Sequence, residues 1–479
     1  MRISIVGGGS AGWMTATTFV KLFPEFDVTL IESPDIETIG VGESTLFNIN
    51  RWLREVDIKY SDFLNHVDGT FKHSIKFTNF YKKDSGSFHY PFFQIPYLSY
   101  MGQALNPNIW WHKKNQVPST PLSDYAESIN PLALVSENSK FDDSMPFAYH
   151  FDATKFGIWL RDEVCKHHVK HIKSNVVGYN GDSITLENGK EIDADLFIDC
   201  TGFKSLLLDS EFISYSHLLP NDIALATRLP YKNKEKQMVP YTECTCINNG
   251  WVWQIPLRDK IGTGYVHSSK YINEDDAKQE FIDHLNSKGF DTSECEFRKV
   301  PMKIGRYKKT WVGNVVAIGL SAGFIEPLEG NGLLTVHDNL LSLVKILRRG
   351  NPSQFSKDLY NSDVEFIFEQ WLDFVICHYS LSQREDTPYW KDNFKRHYDL
   401  DKRLGLKAYG TEVFQTERYN YLDKGFHYIA TGMNVNPTLH SYGYNPDDVR
   451  NLCERKKEWE KQVKDLPTML QYLSRHHRL

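Results

Sequence analysis

Three glycines near the start of the chain have the spacing with the clearest chemistry, G-x-G-x-x-G at Gly7, Gly9 and Gly12. In such a loop the first glycine forms a tight turn, the second lets the backbone approach a pyrophosphate, and the third lets a helix pack closely on a strand. The N–H groups at the start of that helix attract the phosphates. The spacing therefore predicts a dinucleotide site, which also includes Ser10 and Ala11.

The elements around this loop follow the order that a dinucleotide fold requires. Arg2–Val6 and Asp27–Ile31 have the composition of strands, and Trp13–Leu22 between them predicts a helix. Glu32 follows the second strand about twenty residues after the loop, where a carboxylate would accept hydrogen bonds from the adenosine ribose hydroxyls. This order favours a bound dinucleotide over a glycine turn that binds nothing.

Later segments favour a flavin over a nicotinamide. Asp195–Phe203 and Asn314–Gly323 resemble the two downstream strand-turn segments of FAD proteins of the glutathione reductase class. The segment Gly262–Gly264 lacks the third glycine of a second dinucleotide loop, so we expect no NAD(P)H domain and a flavin that is reduced by another protein. The other predicted FAD contacts are Gly42, Glu43, Ser44, Thr45, Gly319, Gly332 and Leu333.

The composition excludes several classes of protein. The 479 residues include 55 Lys and Arg against 61 Asp and Glu, a net charge of −6, which argues against nucleic acid or an anionic membrane as a partner. Seven cysteines without framework spacing predict free thiols, and the histidines after Cys165 lack the second ligand pair of a zinc site, so we predict no metal. Because the chain opens on a strand and has no apolar run of bilayer length, we predict a cytoplasmic protein without a signal peptide.

The elements together predict an α/β fold with some α+β elements. We expect an FAD-binding Rossmann-like domain of the glutathione reductase type, a substrate-binding sheet region and a helical C-terminal part. Residues 351–479 are expected to be helical and to cap the substrate. Residues 1–350 form the predicted core, with FAD-binding segments at 1–50, 145–205 and 310–350 and substrate or tunnel insertions at 51–144 and 206–309.

A tryptophan-rich motif then indicates a family. The segment Gly250–Pro256 reads G-W-V-W-Q-I-P, which matches the G-W-x-W-x-I-P signature of flavin-dependent halogenases, the tryptophan halogenase-like family. The sequence resembles that family in further blocks that run in family order: residues 7–12, 40–45, 75–77, 88–92, 149–153, 199–203, 324–329 and 384–390. On their joint occurrence, the chain is identified as a member of this family.

The resemblance implies a reaction with two separate sites. Reduced FAD and oxygen form a flavin hydroperoxide, a bound halide attacks it, and hypohalous acid travels through a tunnel to halogenate an electron-rich aromatic or heteroaromatic small molecule. The family lysine falls on Lys76, between Ile75 and Phe77, and is expected to hydrogen-bond the hypohalous acid or to carry the halogen. Desolvation would favour a neutral amine there. A solvated lysine on an amphipathic strand is the alternative.

The family glutamate falls on Glu329, which is expected to orient the halogenating species or to accept the ring proton. Glu326 is a rival that could simply cap a turn. The following Gly330-Asn331-Gly332 predicts a nest of N–H groups at a helix N-terminus, with halide on the amides of Asn331 and Gly332. Because well-known tryptophan halogenases have small hydroxyl residues after the glutamate, this roomier site predicts a preference for bromide or iodide over chloride.

Aromatic residues are expected to shape the route to the substrate. By resemblance, Trp251 and Trp253 lie between the flavin and the tunnel, although simple core packing is the alternative. Phe88, His89 and Phe93 are candidates for the walls of the tunnel or substrate pocket.

Partners and rival functions complete the prediction. The resemblance implies a separate NAD(P)H-dependent flavin reductase and leaves a homo-oligomer open. An FAD-dependent aromatic monooxygenase that hydroxylates its substrate is the main rival function, and a flavin-binding protein without catalysis is a second one. Residues 438–448 show no match to the substrate-recognition segment of tryptophan halogenases, so free tryptophan is not assumed to be the substrate.

Overall fold

A computed structural model of the protein describes residues 1–36, 42–92, 99–100, 103–104, 109–117, 119–396, 423–435 and 446–477. The chain divides into two compact units, each made of three segments. The first unit contains residues 1–69, 149–222 and 301–371, and the second contains residues 70–148, 223–300 and 372–479. Each unit therefore assembles its core from residues that are far apart in the sequence.

The first unit is built on a six-stranded sheet. In spatial order its strands are Val169–Lys173, Asp27–Glu32, Arg2–Val6, Leu196–Asp199, Val315–Ala317 and Trp311–Val312. The first five strands are parallel and the last is antiparallel. Parallel strands that are covered on both faces need apolar residues, and Ile5, Leu30 and Val316 are fully buried. The predicted βαβ opening is thereby confirmed.

Helices and shorter strands complete the first unit. The helix Ser10–Leu22 follows the glycine loop, and the helix Gly332–Leu347 buries Leu340 and Leu343. Two three-stranded antiparallel sheets consist of Val176–Tyr179, Ser183–Leu186 and Glu191–Asp193, and of Phe212–Ser214, Gly305–Tyr307 and Gly323–Phe324. The other elements are the strand Gly42–Ser44, the helices Ile49–Glu55, Tyr60–His66 and Ala153–Trp159, and the helical turns Leu160–Val164, Gly202–Lys204, Gly319–Ser321 and Pro327–Glu329.

The second unit is built on a seven-stranded sheet. In spatial order its strands are Arg298–Pro301, Ile223–Pro230, Lys260–His267, Gly250–Pro256, Tyr241–Cys246, Ser74–Thr78 and Ser87–Pro91. Tyr241–Cys246 and Ser74–Thr78 are parallel to each other. The helix Glu274–Ser287 packs Ala277, Phe281 and Leu285 against buried residues of the sheet. The motif strand Gly250–Pro256 is the fourth of these seven strands and is therefore central in its sheet.

Helices form the rest of the second unit. They are Ile109–Gln116, Asp124–Ile129, Pro131–Glu137, Lys234–Gln237, Pro388–Arg396, Asp423–Gly432, Pro446–Lys464 and Met469–His476, with short strands at Thr70–Lys72, Ser99–Tyr100 and Gln103–Ala104. The long helix Gln354–Ser380 contains residues of both units. Trp110, Tyr125 and Tyr428 belong to a second buried core. The predicted helical C-terminal part is confirmed, and its substrate-capping role stays a prediction.

The predicted segment limits describe functional roles and stay a prediction, and the compact units divide the chain differently. Residues 51–69, which the sequence analysis gave to a substrate insertion, belong to the first unit. Trp52 is fully buried there, and its Nε1 atom donates a hydrogen bond to Oγ1 of Thr18 at 2.9 Å. Among the described residues, no helix is long and apolar enough to cross a membrane.

Candidate functional site

The glycine loop of the first unit has the geometry of a phosphate cradle. Gly7 has a φ of +117°, and a Cβ atom there would lie 2.2 Å from the carbonyl oxygen of Cys200. A Cβ atom on Gly12 would lie 1.8 Å from the carbonyl oxygen of Gly7, whereas one on Gly9 would meet no described atom within 4 Å. Two glycines therefore serve the packing of the loop, and Gly9 leaves open space at the start of the helix Ser10–Leu22, where a pyrophosphate fits.

Gly319 brings two further elements close to this loop. It has a φ of +73°, and a Cβ atom there would lie 2.8 Å from Cβ of Ala11 and 3.5 Å from Cγ2 of Val336. Ala11 is in the first turn of the loop helix, and Val336 is in the helix that begins with Gly332 and the buried Leu333. Ala11 and Gly319, which are both predicted cofactor contacts, therefore lie next to each other and next to the helix Gly332–Leu347.

Glu32 ends its strand as predicted, and its carboxylate is held in place. The Oε2 atom lies 2.7 Å from Nε2 of His171, which is on the neighbouring parallel strand. A Cβ atom on Gly8 would lie 2.3 Å from Cδ of Glu32, so the carboxylate lies directly over the glycine loop. The contact of His171 with Glu32 could not be predicted, because the sequence does not reveal which strand lies next to Asp27–Glu32.

The strand Gly42–Ser44 contributes a titratable carboxyl group. It pairs with the strand Ala148–Asp152, and Thr45 Oγ1 donates a hydrogen bond to a backbone carbonyl of that strand at 2.9 Å. Burial raises the pKa of the Glu43 carboxyl to about 7. This group therefore populates both its acid and its base form near neutral pH. Residues 37–41 lie outside the described residues.

A helix N-terminus with an unpaired side chain follows the turn Pro327–Glu329. Gly330, with a φ of +67°, ends the turn, and Asn331 precedes the helix Gly332–Leu347. Asn331 is 1% exposed, and its Oδ1 and Nδ2 atoms form no hydrogen bond with any residue that the structure describes. Since unpaired buried polar atoms cost free energy, this N-terminus is suited to an anion that accepts N–H groups.

The two glutamates of this segment are both fully buried. Glu326 Oε1 accepts a hydrogen bond from Nδ2 of Asn221 at 2.9 Å, which ties Glu326 to the framework of the unit. Glu329 directly precedes Gly330 and Asn331 and so belongs to the same buried segment as the candidate anion site. A carboxyl group in such surroundings can act as a general base.

In the second unit, Lys76 takes part in an ion pair. Its Nζ atom lies 2.8 Å from Oε2 of Glu137, and the same oxygen lies 2.9 Å from Nε2 of His89. Burial lowers the pKa of His89. Burial also acts to raise the pKa of Glu137, but the hydrogen bonds from His89 and Lys76 outweigh it and lower this pKa to about 2. Lys76 is thus held by a carboxylate whose side chain is 41% exposed.

A second lysine, four residues earlier, is more deeply buried. Lys72 ends the strand Thr70–Lys72, is 0% exposed, and has its Nζ atom 5.1 Å from the ring centroid of Phe92. An aromatic face attracts an ammonium. The burial of Lys72 could not be predicted, because its neighbours Phe71 and His73 do not reveal what packs against it in the fold.

The two motif tryptophans lie on the central strand Gly250–Pro256. Trp251 is 1% exposed, and its ring centroid is 6.1 Å from that of Trp253. The Trp253 indole lies over Gly264 of the neighbouring strand, where a Cβ atom would lie 2.1 Å from the ring. The pair therefore has a defined geometry within the sheet, and its place beside a tunnel stays a prediction.

Two of the three predicted pocket residues are described. Phe88 and His89 are neighbours on the strand Ser87–Pro91 and so point to opposite faces of the sheet. Phe88 contacts Phe77 at a centroid distance of 5.4 Å, whereas His89 binds Glu137. A single pocket wall on this sheet would therefore include one of them. Phe93 lies outside the described residues.

Comparisons with known proteins identify the family of this chain. The family described as tryptophan halogenase matches residues 2–445. The chain is 33% identical to tryptophan 6-halogenase SttH of Streptomyces toxytricini over 432 residues, which cover 82% of this chain and 81% of that protein. It is 33% identical to tryptophan 7-halogenase RebH of Lentzea aerocolonigenes over 422 residues, covering 82% and 78%. The apo structure of VirX1 matches with a TM-score of 0.89 and 34% identity over 99% of this chain and 98% of that chain. This chain therefore belongs to the tryptophan halogenase family and is a flavin-dependent halogenase.

Proposed function

We propose that the enzyme uses reduced FAD, oxygen and a halide ion to halogenate an electron-rich aromatic or heteroaromatic small molecule. The observation that carries this proposal is the buried, unpaired side chain of Asn331 at a helix N-terminus, since a halide needs N–H donors. Bound reduced FAD would supply two electrons, so that oxygen, halide and a proton yield hypohalous acid and water. The acid then exchanges its halogen for a ring hydrogen and releases a second water.

The glycine loop is the proposed site of the FAD phosphates. Gly9 leaves space at the helix N-terminus, and the Glu32 carboxylate lies over the same loop, where the adenosine ribose would bind. A separate NAD(P)H-dependent flavin reductase would deliver the reduced flavin. The further proposed contacts are Gly7, Ser10, Ala11, Gly12, Gly42, Glu43, Ser44, Thr45, Gly319, Gly332 and Leu333.

Asn331 and Gly332 are the proposed halide ligands. Their backbone N–H groups would donate to the ion, and Nδ2 of Asn331 can add a further donor. An unsatisfied buried amide costs about 1–3 kcal/mol, part of which a bound anion would recover. Gly330 and Gly332 have no side chains, which supports a site with space for larger halides. Larger halides also lose their hydration shells more easily. We therefore propose that bromide or iodide is used faster than chloride.

Two lysines are candidates for handling the hypohalous acid. A haloamine forms when the lone pair of a neutral amine takes the halogen and water is released, and an ammonium has no such lone pair. Lys76 is on the motif strand and is ion-paired with Glu137, whereas Lys72 is fully buried next to the ring of Phe92. The sequence motif supports Lys76 as the reacting lysine, and Lys72 is its rival.

Glu329 is the proposed base for the ring proton. Its position directly before Gly330 and Asn331 supports this role, and a positioned general base contributes about 10²–10⁴-fold in rate. The relatives SttH and RebH are named for 6- and 7-halogenation of tryptophan, so tryptophan belongs among the substrates tested, with other indoles, phenols and pyrroles. Trp251, Trp253, Phe88, His89 and Phe93 remain proposed tunnel or pocket residues.

Mass spectrometry of the products tests this function. The substrate panel is incubated with enzyme, FAD, a flavin reductase, NADH, oxygen and each halide in turn. We expect halogenated product from the natural enzyme, most rapidly with bromide or iodide, and its loss in Glu329→Gln. Equal rates with three halides would contradict the halide order.

The rival function gives a different result in the same assay. A hydroxylated product that forms without halide would favour an aromatic monooxygenase. Rapid oxidation of NAD(P)H by the protein alone, without the reductase and regardless of halide, would favour the same conclusion.

A further inference from the structure

We propose that His171 is a positioning residue for the cofactor: it fixes the Glu32 carboxylate over the glycine loop and so strengthens binding of the adenosine half of FAD. This inference rests on the proposed role of FAD. It adds a residue that belongs neither to the glycine spacing nor to the halogenase motifs. The expected signature is a loss of affinity for ligands that contain adenosine and no loss for the flavin half alone.

His171 and Glu32 are in direct contact, and each is on a β-strand. Nε2 of His171 lies 2.7 Å from Oε2 of Glu32, within the range of a strong hydrogen bond to a carboxylate. The strands Val169–Lys173 and Asp27–Glu32 are parallel neighbours, with Lys173 opposite Glu32 in the register. Both side chains therefore project from paired strands of one sheet. This limits the positions that the Glu32 carboxylate can reach.

The imidazole is itself held by the helix that follows the glycine loop. The ring of His171 meets the ring of Trp13 edge to face, with centroids 5.1 Å apart and planes at 76°. Trp13 is 2% exposed and directly follows Gly12, the last glycine of the loop. His171 is thus fixed to the loop helix on one side and to Glu32 on the other.

One oxygen of Glu32 is left to face a ligand. Oε2 receives the contact from His171, whereas Oε1 forms no hydrogen bond with any described residue. A Cβ atom on Gly8 would lie 2.7 Å from Oε1, which places this oxygen over the glycine loop. A ribose hydroxyl that donates to Oε1 would therefore meet a carboxylate whose other oxygen is already anchored.

A guanidinium near Glu32 has a different partner. Arg161 donates from Nε and Nη2 to the two carboxylate oxygens of Asp162, at 2.7 and 2.8 Å. Its charge contributes to the field at Glu32, but its hydrogen bonds are directed elsewhere. His171 is therefore the residue that sets the position of the carboxylate.

Anchoring matters because this carboxylate is partly exposed. The side chains of Glu32 and His171 are 21% and 23% exposed, so without its partner Glu32 would sample several rotamers in water. Ordering one such side chain on ligand binding weakens affinity by about threefold to tenfold. We expect this loss in FAD affinity for His171→Ala and a recovery in His171→Gln, whose amide can donate to Glu32.

The test compares three ligands on the flavin-free protein. Dissociation constants for FAD, ADP and FMN are measured by calorimetry or by quenching of flavin fluorescence. ADP contains the ribose without the flavin, and FMN contains the flavin without the adenosine. His167→Ala is the matched control because His167 is an exposed histidine close in sequence to the strand that holds His171.

The expected result is a threefold to tenfold weakening of FAD and ADP in His171→Ala, unchanged FMN, and no effect in His167→Ala. In a Glu32→Ala background, His171→Ala should have no further effect, because the histidine acts through that carboxylate. Equal weakening of FMN, or an undiminished effect without Glu32, would overturn the positioning role. If the natural protein bound no FAD, the proposed cofactor role would fail instead, which separates the two hypotheses.

Discussion

The glycine loop of the first unit and the lysine strands of the second unit build their polar groups from different atoms. In the loop, the groups are backbone amides, and the packing of Gly7 and Gly12 depends on the absence of a Cβ atom. On the strands, the groups are two amines that differ in their surroundings, since Lys72 is 0% exposed and Lys76 is paired with Glu137. A backbone site therefore depends on residue spacing, whereas a side-chain site depends on what packs against it.

The largest expected effect distinguishes the two lysines. Lys76→Ala should lower the halogenation rate by about 10²–10⁴-fold, the usual contribution of a positioned group that donates a proton to the reacting species. Lys72→Ala should lower it much less, because Lys72 lies outside the motif residues 75–77. Product formation in a single turnover with pre-reduced FAD measures both rates. The opposite ranking would give the role to Lys72 and show that the sequence motif is a poor guide here.

The packing of the glycine loop is tested by the stability of two glycine variants. Gly12→Ala should lower the free energy of unfolding by about 2–4 kcal/mol, because its Cβ atom would lie 1.8 Å from the carbonyl oxygen of Gly7. Gly9→Ala is the matched control, since its φ of −77° suits alanine and open space surrounds it. Urea denaturation of the flavin-free proteins gives both values. Similar losses in the free energy of unfolding at the two positions would contradict the special packing role of Gly12.

The smallest effect concerns pH. Because the pKa of Glu43 is about 7 in the folded protein, above its ordinary value of 4.5, the carboxyl is held protonated by folding. The stability it contributes is present at low pH and falls as the pH rises from about 4.5 through 7. Glu43→Gln should therefore match the natural protein at pH 4.5 and exceed it by about 1 kcal/mol at pH 8, a value reduced for partial exposure. Denaturation at both pH values checks this, and an equal difference at the two would refute it.

The sequence predicted well those features that are local along the chain. The glycine loop, the strand that ends at Glu32 and the helix that begins after Asn331 all follow from spacing and apolar runs within a few residues. The contact between Glu32 and His171 could not be predicted, because it joins residues 139 positions apart through strand order. The burial of Lys72 against Phe92 was missed for a related reason, since Lys72 and Lys76 have similar neighbours and differ in tertiary contacts.

The position of Trp253 over Gly264 has a practical consequence for enzyme engineering. Any side chain at residue 264 would overlap the indole, so even alanine would force the ring to rotate or the two strands to separate. Gly264 thus permits the observed orientation of Trp253, although Gly264 itself lies outside the tryptophan motif. Mutant libraries that vary Trp253 alone would sample one half of this pair, and new ring orientations become accessible when both positions are varied together.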